Sequence, residues 1–204
     1  MPTLELVCKR LVSDSAWVLK CLLGAVLLAV PVAHFFACGY LYEIVNRVRR
    51  GEEPGLPEWE DWRRLFANGV AAFVLFLVFT VAPLAAGWLL TWPLRLLGAG
   101  WFAFLPLTPV LLLSLPLTAA SLYLYQKRED YRDAMRPWVL VRMLRATGLS
   151  LVVPTLAVIG LFVVGLPLAT FTLFIGFAVL SAIYAALFHH AEVALRSARR
   201  AGRF

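Results

Sequence analysis

Charge is what this chain lacks most, and acid in particular. Only 15% of its 204 residues are charged, with 12 acids against 19 Lys and Arg. A soluble domain carries roughly 25% charged residues, so the deficit argues against a water-covered surface. Cysteine is scarce as well. Cys8, Cys21 and Cys38 are an odd set without metal-ligand spacing, which gives a disulfide framework or zinc site little support. Two of them fall in or beside the first apolar run, where Cys behaves as a small hydrophobe. Enzyme motifs are missing too. The chain has no nucleophile elbow, Walker loop, His-Glu metal motif or dinucleotide fingerprint.

Apolar residues fill the space, at 62% of the chain and a mean hydropathy of +0.82. They gather in five segments, at about 16–42, 66–92, 96–125, 147–166 and 168–189. About 20 apolar residues cross a bilayer core. The expectation is therefore an all-α integral membrane helical bundle, a single transmembrane domain over 1–204 with interfacial amphipathic helices. The last two segments form one uncharged stretch that "VVGLPLA" (163–169) breaks, because Gly165 and Pro167 weaken a helix and permit a tight turn. Three prolines, Pro106, Pro109 and Pro116, make the third segment a kinked helix, preceded by an interfacial piece around Trp101 and Phe102. The N-terminus does not read as a cleaved signal. Glu5 and Asp14 dilute its positive charge, and the apolar run after Lys20 is too long for a signal core.

The net charge of +7 raises the question of nucleic acid. The basic residues lie in clusters between apolar runs, however, which is the layout of cytoplasmic membrane loops and not a nucleic-acid footprint. If all five segments cross, 15 Lys and Arg lie on one side and 4 on the other. The positive-inside rule then puts 43–65, 126–145 and the basic tail 191–204 in the cytoplasm of a prokaryotic inner membrane. If the first segment is instead a re-entrant wedge broken near Pro31, the N-terminus joins that side and the split is 18 to 1. Re-entrant backbone needs protein or water around it and is rarer than a plain crossing. The two arrangements agree after residue 43.

The stretch "GLPEWEDWRRLF" (55–66) interrupts this apolar chain. On a helix over 57–68, Pro57 suits the first turn, Glu58, Glu60 and Asp61 favour the N-terminal end of the dipole, and Glu60 pairs with Arg64. Trp59, Trp62, Phe66 and Gly69 then share a face, as in an amphipathic helix lying at the interface. Upstream, Tyr40, Ile44 and Val48 align at helical spacing and Glu43 pairs with Arg47. Leu56, Pro57, Glu58, Trp59, Asp61, Trp62 and Phe66, with Tyr40, are the candidate anchoring and docking residues.

At these positions the chain resembles a family. "GYLYEIVNRVRRGEEPGLPEWEDWRRLFANG" (39–69) is similar to the core signature of domain of unknown function 4013, a group of prokaryotic polytopic membrane proteins. The likeness rests on Gly39-Tyr40, the basic residues before Gly51, Leu56-Pro57-Glu58-Trp59, Asp61 and the Phe66-to-Gly69 entry. It implies a multi-spanning bundle and supplies no reaction or ligand.

Candidate chemistry is thin. Away from the ends of the runs, His34 is the one histidine or charged residue inside them, and such a residue flags function. Its bland reading is a neutral imidazole bonded to a carbonyl freed by Pro31. His189 and His190 close the last run and point about 100° apart on a helix, so they do not pair on one metal. Haem held between His34 and either of them is the remote cofactor reading; the expectation is no cofactor. Glu43, Glu58, Asp61, Glu129 and Asp130 lie among arginines, where a solvated ion-pair face is the default. Ala178, Ala182 and Ala186 form a small-residue stripe for close helix packing, within the chain or between subunits. The reading that follows is a non-enzyme: an accessory or scaffold subunit that binds lipid and another membrane protein, or itself as a homo-oligomer. A transporter or channel component for a small solute, with the proline-rich segment lining the path, is the alternative. An interfacial membrane enzyme using the acids of 58–61 is the second.

Overall fold

A computed structural model describes residues 4–164 and 169–200, and every regular element among them is helical. In order these are α1 (Leu4–Val12), α2 (Trp17–Ala29), α3 (His34–Arg49), α4 (Trp62–Phe76), a π segment (Leu77–Val81) and α5 (Ala82–Leu96). A 3-10 turn (Gly100–Phe104) leads to α6 (Leu107–Arg128), followed by the short α7 (Tyr131–Ala134) and α8 (Pro137–Thr147). A second 3-10 turn (Gly148–Leu151) precedes α9 (Val152–Val164) and the long α10 (Ala169–Arg200).

Among the described residues three helices are long and apolar enough to cross a membrane, Trp62–Leu96, Gly100–Lys127 and Ala169–Ser197, and up to five if each of two bent helix pairs is one span. The first segment departs from a plain crossing. Pro31 and Val32, the latter at φ 70°, break it between α2 and α3. A β-branched residue rarely takes that conformation. At 13 residues, α2 rises roughly 20 Å, short of the roughly 30 Å hydrocarbon core. Gly24 of α2 and Tyr40 of α3 both meet the Phe174 ring, so α2 and α3 run antiparallel. Their outer ends therefore lie together, which is the geometry that the re-entrant alternative expects. The tip reaches Phe73, which His34 and Phe35 contact. Arg10 of α1 pairs with Glu53, placing the N-terminal helix on the same face as residues 50–61.

From Val48, α3 ends in a glycine stop. Gly51 (φ 85°) donates to the Val48 carbonyl and Glu52 to that of Arg47, satisfying carbonyls the helix leaves open. The chain then returns along α3 and re-enters as α4. Here two glycines set the spacing. A Cβ on Gly39 would stand 1.8 Å from the Leu65 carbonyl oxygen, and one on Gly69 would stand 1.8 Å from that of Phe35. The two backbones are in direct contact, as small residues permit in membrane helices.

Deeper in, Thr80 on the π segment bonds Thr118 at 2.6 Å, and Thr118 bonds the Ser114 carbonyl at 3.0 Å. These bonds tie the α4–α5 rod to α6, which runs helical through Pro109 and Pro116. In α9 and α10, Thr155 meets the Tyr184 hydroxyl at 2.5 Å and Val158 fills the space over Gly176, so these helices are antiparallel. The predicted break at Gly165 and Pro167 lies outside the described residues. The core gathers around α10: 67% of its apolar window is buried, against 22% for 62–96 and 17% for 100–127. The latter two therefore form an exposed apolar hairpin.

Gly39→Ala and Gly69→Ala are expected to cost about 1–3 kcal/mol or more, because backbone has to move to admit the methyl. Gly160→Ala, with open space over its Cα, should leave the melting temperature in mild detergent unchanged. A Gly39 variant as stable as wild type would contradict the close crossing.

Candidate functional site

The residues of 55–61 do not form the first turns of a helix. Residues 52–61 are irregular, and α4 starts only at Trp62. Asp61 sits in the left-handed region (φ 51°), and its carboxylate accepts the Arg64 N–H at 3.3 Å as the N-cap. An N-cap is non-helical by definition, so Pro57 cannot be the first helical residue. The Glu60–Arg64 helical pair is lost with it, and Trp59 leaves the helical face of Trp62 and Phe66, although its ring still stacks on Trp62 at 5.7 Å and 22°.

What replaces that face is a set of long-range contacts. The Tyr40 hydroxyl, fully buried, donates to the Pro57 carbonyl at 2.9 Å. The Trp59 indole stacks on the Tyr40 ring at 4.1 Å and 16°, and donates to the Lys20 carbonyl at 3.3 Å. Phe174 lies behind both rings. Trp59 thus turns inward while Leu56 joins the core at 7% exposure. Trp62 and Phe66 remain on the outside against Phe36.

Beside this stack is a nearly buried cation. The Lys20 side chain, 7% exposed, holds Asp14 at 2.6 Å and Glu58 at 2.5 Å. A lysine in that position needs both partners, since an unpaired buried charge is costly. The Lys20 ammonium, helped by the Ala16 N–H, holds the Asp14 carboxyl below the usual carboxylate range. A second knot lies further along α3. Glu43, 8% exposed, meets Arg50 at 2.8 Å and Arg64 at 3.3 Å; the expected Glu43–Arg47 pairing along one helix is not made. These two centres tie α1, α2, α3, the loop 50–61 and α4 into one platform.

The histidines stay apart. His34 opens α3 with its ring 4.2 Å from Phe35 and 4.9 Å from Phe73. Its Nε2 is buried without a hydrogen-bond partner, so the expected bond to a freed carbonyl is not made. His189 is half-buried and His190 exposed, three and two positions before Glu192, and no described contact joins them to His34. The described residues hold no cluster of three metal-ligating side chains. Ala178, Ala182 and Ala186 are all buried inside the chain. Ala178 faces Cys21 and Leu56 across a small apolar cavity, so the stripe serves packing within the subunit.

A family model described as "Protein of unknown function (DUF4013)" matches residues 22–199. The chain belongs to this family. No curated protein matches it, and no solved structure does. The DUF4013 match runs from the middle of α2 almost to the end of α10, and so takes in both glycines of the α3–α4 crossing and the whole Lys20-facing loop.

The Lys20 centre carries a pH prediction. A carboxyl held low in the fold stabilises above its unfolded value, near 4, and loses that contribution as pH falls through the folded value. Melting temperature should therefore fall below about pH 4 in wild type. In Lys20→Met the stability should be lower at pH 7, with a flatter acid dependence. Parallel acid profiles for the two proteins would remove Lys20 from the account.

Proposed function

We propose that this DUF4013 protein is a non-catalytic accessory or scaffold subunit of the prokaryotic cytoplasmic membrane. It binds another membrane protein, or a second copy of itself, at the platform face. One observation carries this reading. Three of the acids that sequence offers for catalysis are engaged as structural groups: Glu58 on Lys20, Asp61 as the cap of α4, Glu43 between two arginines. Their occupation builds a rigid surface and leaves Trp62 and Phe66 at its outer edge, 43% and 36% exposed.

Charge supports the orientation. With α1 on the platform side, Arg95 is the one basic residue at the far end of the hairpin among the described residues, where its guanidinium lies 4.5 Å from the Phe104 ring centre. By the positive-inside rule the platform and the C-terminal end of α10 are cytoplasmic. Trp88, Trp92 and Trp101, all exposed, mark the opposite interface. The transport alternative asks for a polar path along α6. The hydroxyls there, Thr80, Thr118 and Ser114, are bonded across the helix pair or back to their own helix.

A photo-crosslinking residue at position 62 or 66, introduced in native membranes, should yield a protein adduct of one defined mass. The same probe at Leu89, on the lipid-facing hairpin, should yield none. Adducts absent from 62 and 66, together with solute flux through the purified monomer in liposomes, would overturn the scaffold reading in favour of transport.

A further inference from the structure

A cavity of about 680 Å³ opens between the cytoplasmic ends of α6, α8 and α10, away from the Lys20 platform. Its size falls in the range of roughly 300–1,000 Å³ that takes a small ligand. The walls are of two kinds. Leu124, Met143 and Phe188 make an apolar interior, while Lys127, Arg142 and Arg196 supply a cation from each of the three helices. One acid lines it, Glu192, which pairs with Lys127 and Arg196 and accepts from the Tyr123 hydroxyl at 3.0 Å. Three cations against one carboxylate leave two positive charges at the opening. Arg142 is exposed and pairs with no acid among the described residues.

The setting selects the ligand. α8 bends 86° away from α9, buries Leu140 with Met143 and Leu144 half-buried beside it, and brings Arg142 to the cavity wall. A space roofed by such a helix stands where headgroups meet acyl chains. Water-soluble anions would fill the rim and leave the apolar wall bare. A zwitterionic headgroup would bring a cation into an already positive opening.

We propose that this cavity is a binding site for one anionic phospholipid of the cytoplasmic leaflet. Its phosphate sits among Arg142, Lys127 and Arg196, and the first methylenes of a chain lie along Leu124, Met143 and Phe188. Basic pockets between membrane helices on this leaflet are suited to such headgroups. Glu192 has the role of a spacer: it holds Lys127 and Arg196 at fixed positions and keeps the site from collapsing on its own charges.

The test is native mass spectrometry of the full chain in mild detergent, titrated with dioleoyl phosphatidylglycerol, dioleoyl phosphatidylcholine or inorganic phosphate. Wild type should retain one phosphatidylglycerol at least fivefold better than phosphatidylcholine, and phosphate should not displace it. Arg142→Ala should weaken retention about fivefold, the effect of one lost cation near the surface. Ala146→Trp, which fills the cavity without changing charge, should do likewise. Arg132→Ala, an exposed arginine outside the cavity, should not. Equal retention of the two lipids by wild type overturns the proposal without recourse to any variant. So does displacement by phosphate, or unchanged retention in both cavity variants at wild-type melting temperature.

Discussion

Carbonyl oxygens of Phe35 and Leu65 occupy the space that side chains at Gly69 and Gly39 would need, and much of the platform follows from that contact. With the two backbones touching, α3 and α4 have one relative position. Tyr40, next to Gly39, then points across the gap through which the loop must return. Its hydroxyl is fully buried and needs an acceptor, and the Pro57 carbonyl is the one within reach. Pinning Pro57 there holds 55–61 irregular until Asp61 caps α4. The close crossing therefore dictates where the loop can be, and the loop brings Glu58 and Trp59 to Lys20.

The Lys20 centre is better understood as fixing geometry than as adding stability. Two carboxylates around one ammonium recover much of the desolvation cost, and a well-packed apolar replacement could be as stable. What such a replacement would lose is direction. Asp14 belongs to the turn between α1 and α2, and Glu58 to the loop before α4, so the pairing sets where the re-entrant hairpin sits beside the spanning rod. Trp59 adds a neutral bond to the same lysine's carbonyl, and stacking on Tyr40 contributes about 0.5–1.5 kcal/mol beyond its burial.

The helical membrane class was legible because it depends on bulk apolarity and on run length, which single residues do not disturb. The hairpin of α2 and α3 was half-legible: Pro31 marked the break and the distribution of Lys and Arg favoured it, but frequency argued for a plain crossing. The 57–68 helix was misread for a specific reason. Pro57, the acids behind it and aromatics spaced by three and four satisfy every local helix rule. The competing claims on Pro57 and Trp59 come from Tyr40 and Lys20, which are 17 and 39 positions away. Nothing local announces them. Glu43 was misassigned in the same way: its neighbour one turn on lost to Arg64, brought in by the α3–α4 crossing. Gly39 and Gly69 did stand in the family resemblance, yet their pairing is a fact of three dimensions.

Burial is distributed unevenly, and that unevenness bears on where function can lie. The rod from Trp62 to Leu96 is 35 residues long, roughly 50 Å, more than the 40–45 Å of a bilayer with its headgroups. It and α6 leave most of their apolar length exposed, and the Thr80 and Thr118 hydroxyls bond to each other. α10, by contrast, is packed against α2, α3, α6 and α9 and becomes exposed near Glu192. Polar atoms that demand partners thus concentrate toward one end of the molecule: Lys20, Glu43, Gln126 on the Tyr42 carbonyl, and Glu192 with its two cations. A chain that needed to move a solute would have to spread such groups along the rod and α6. Gathering them at one end, the end that the proposed orientation makes cytoplasmic, gives a fixed surface standing on an apolar stalk. That shape suits holding a partner and reading the adjacent leaflet.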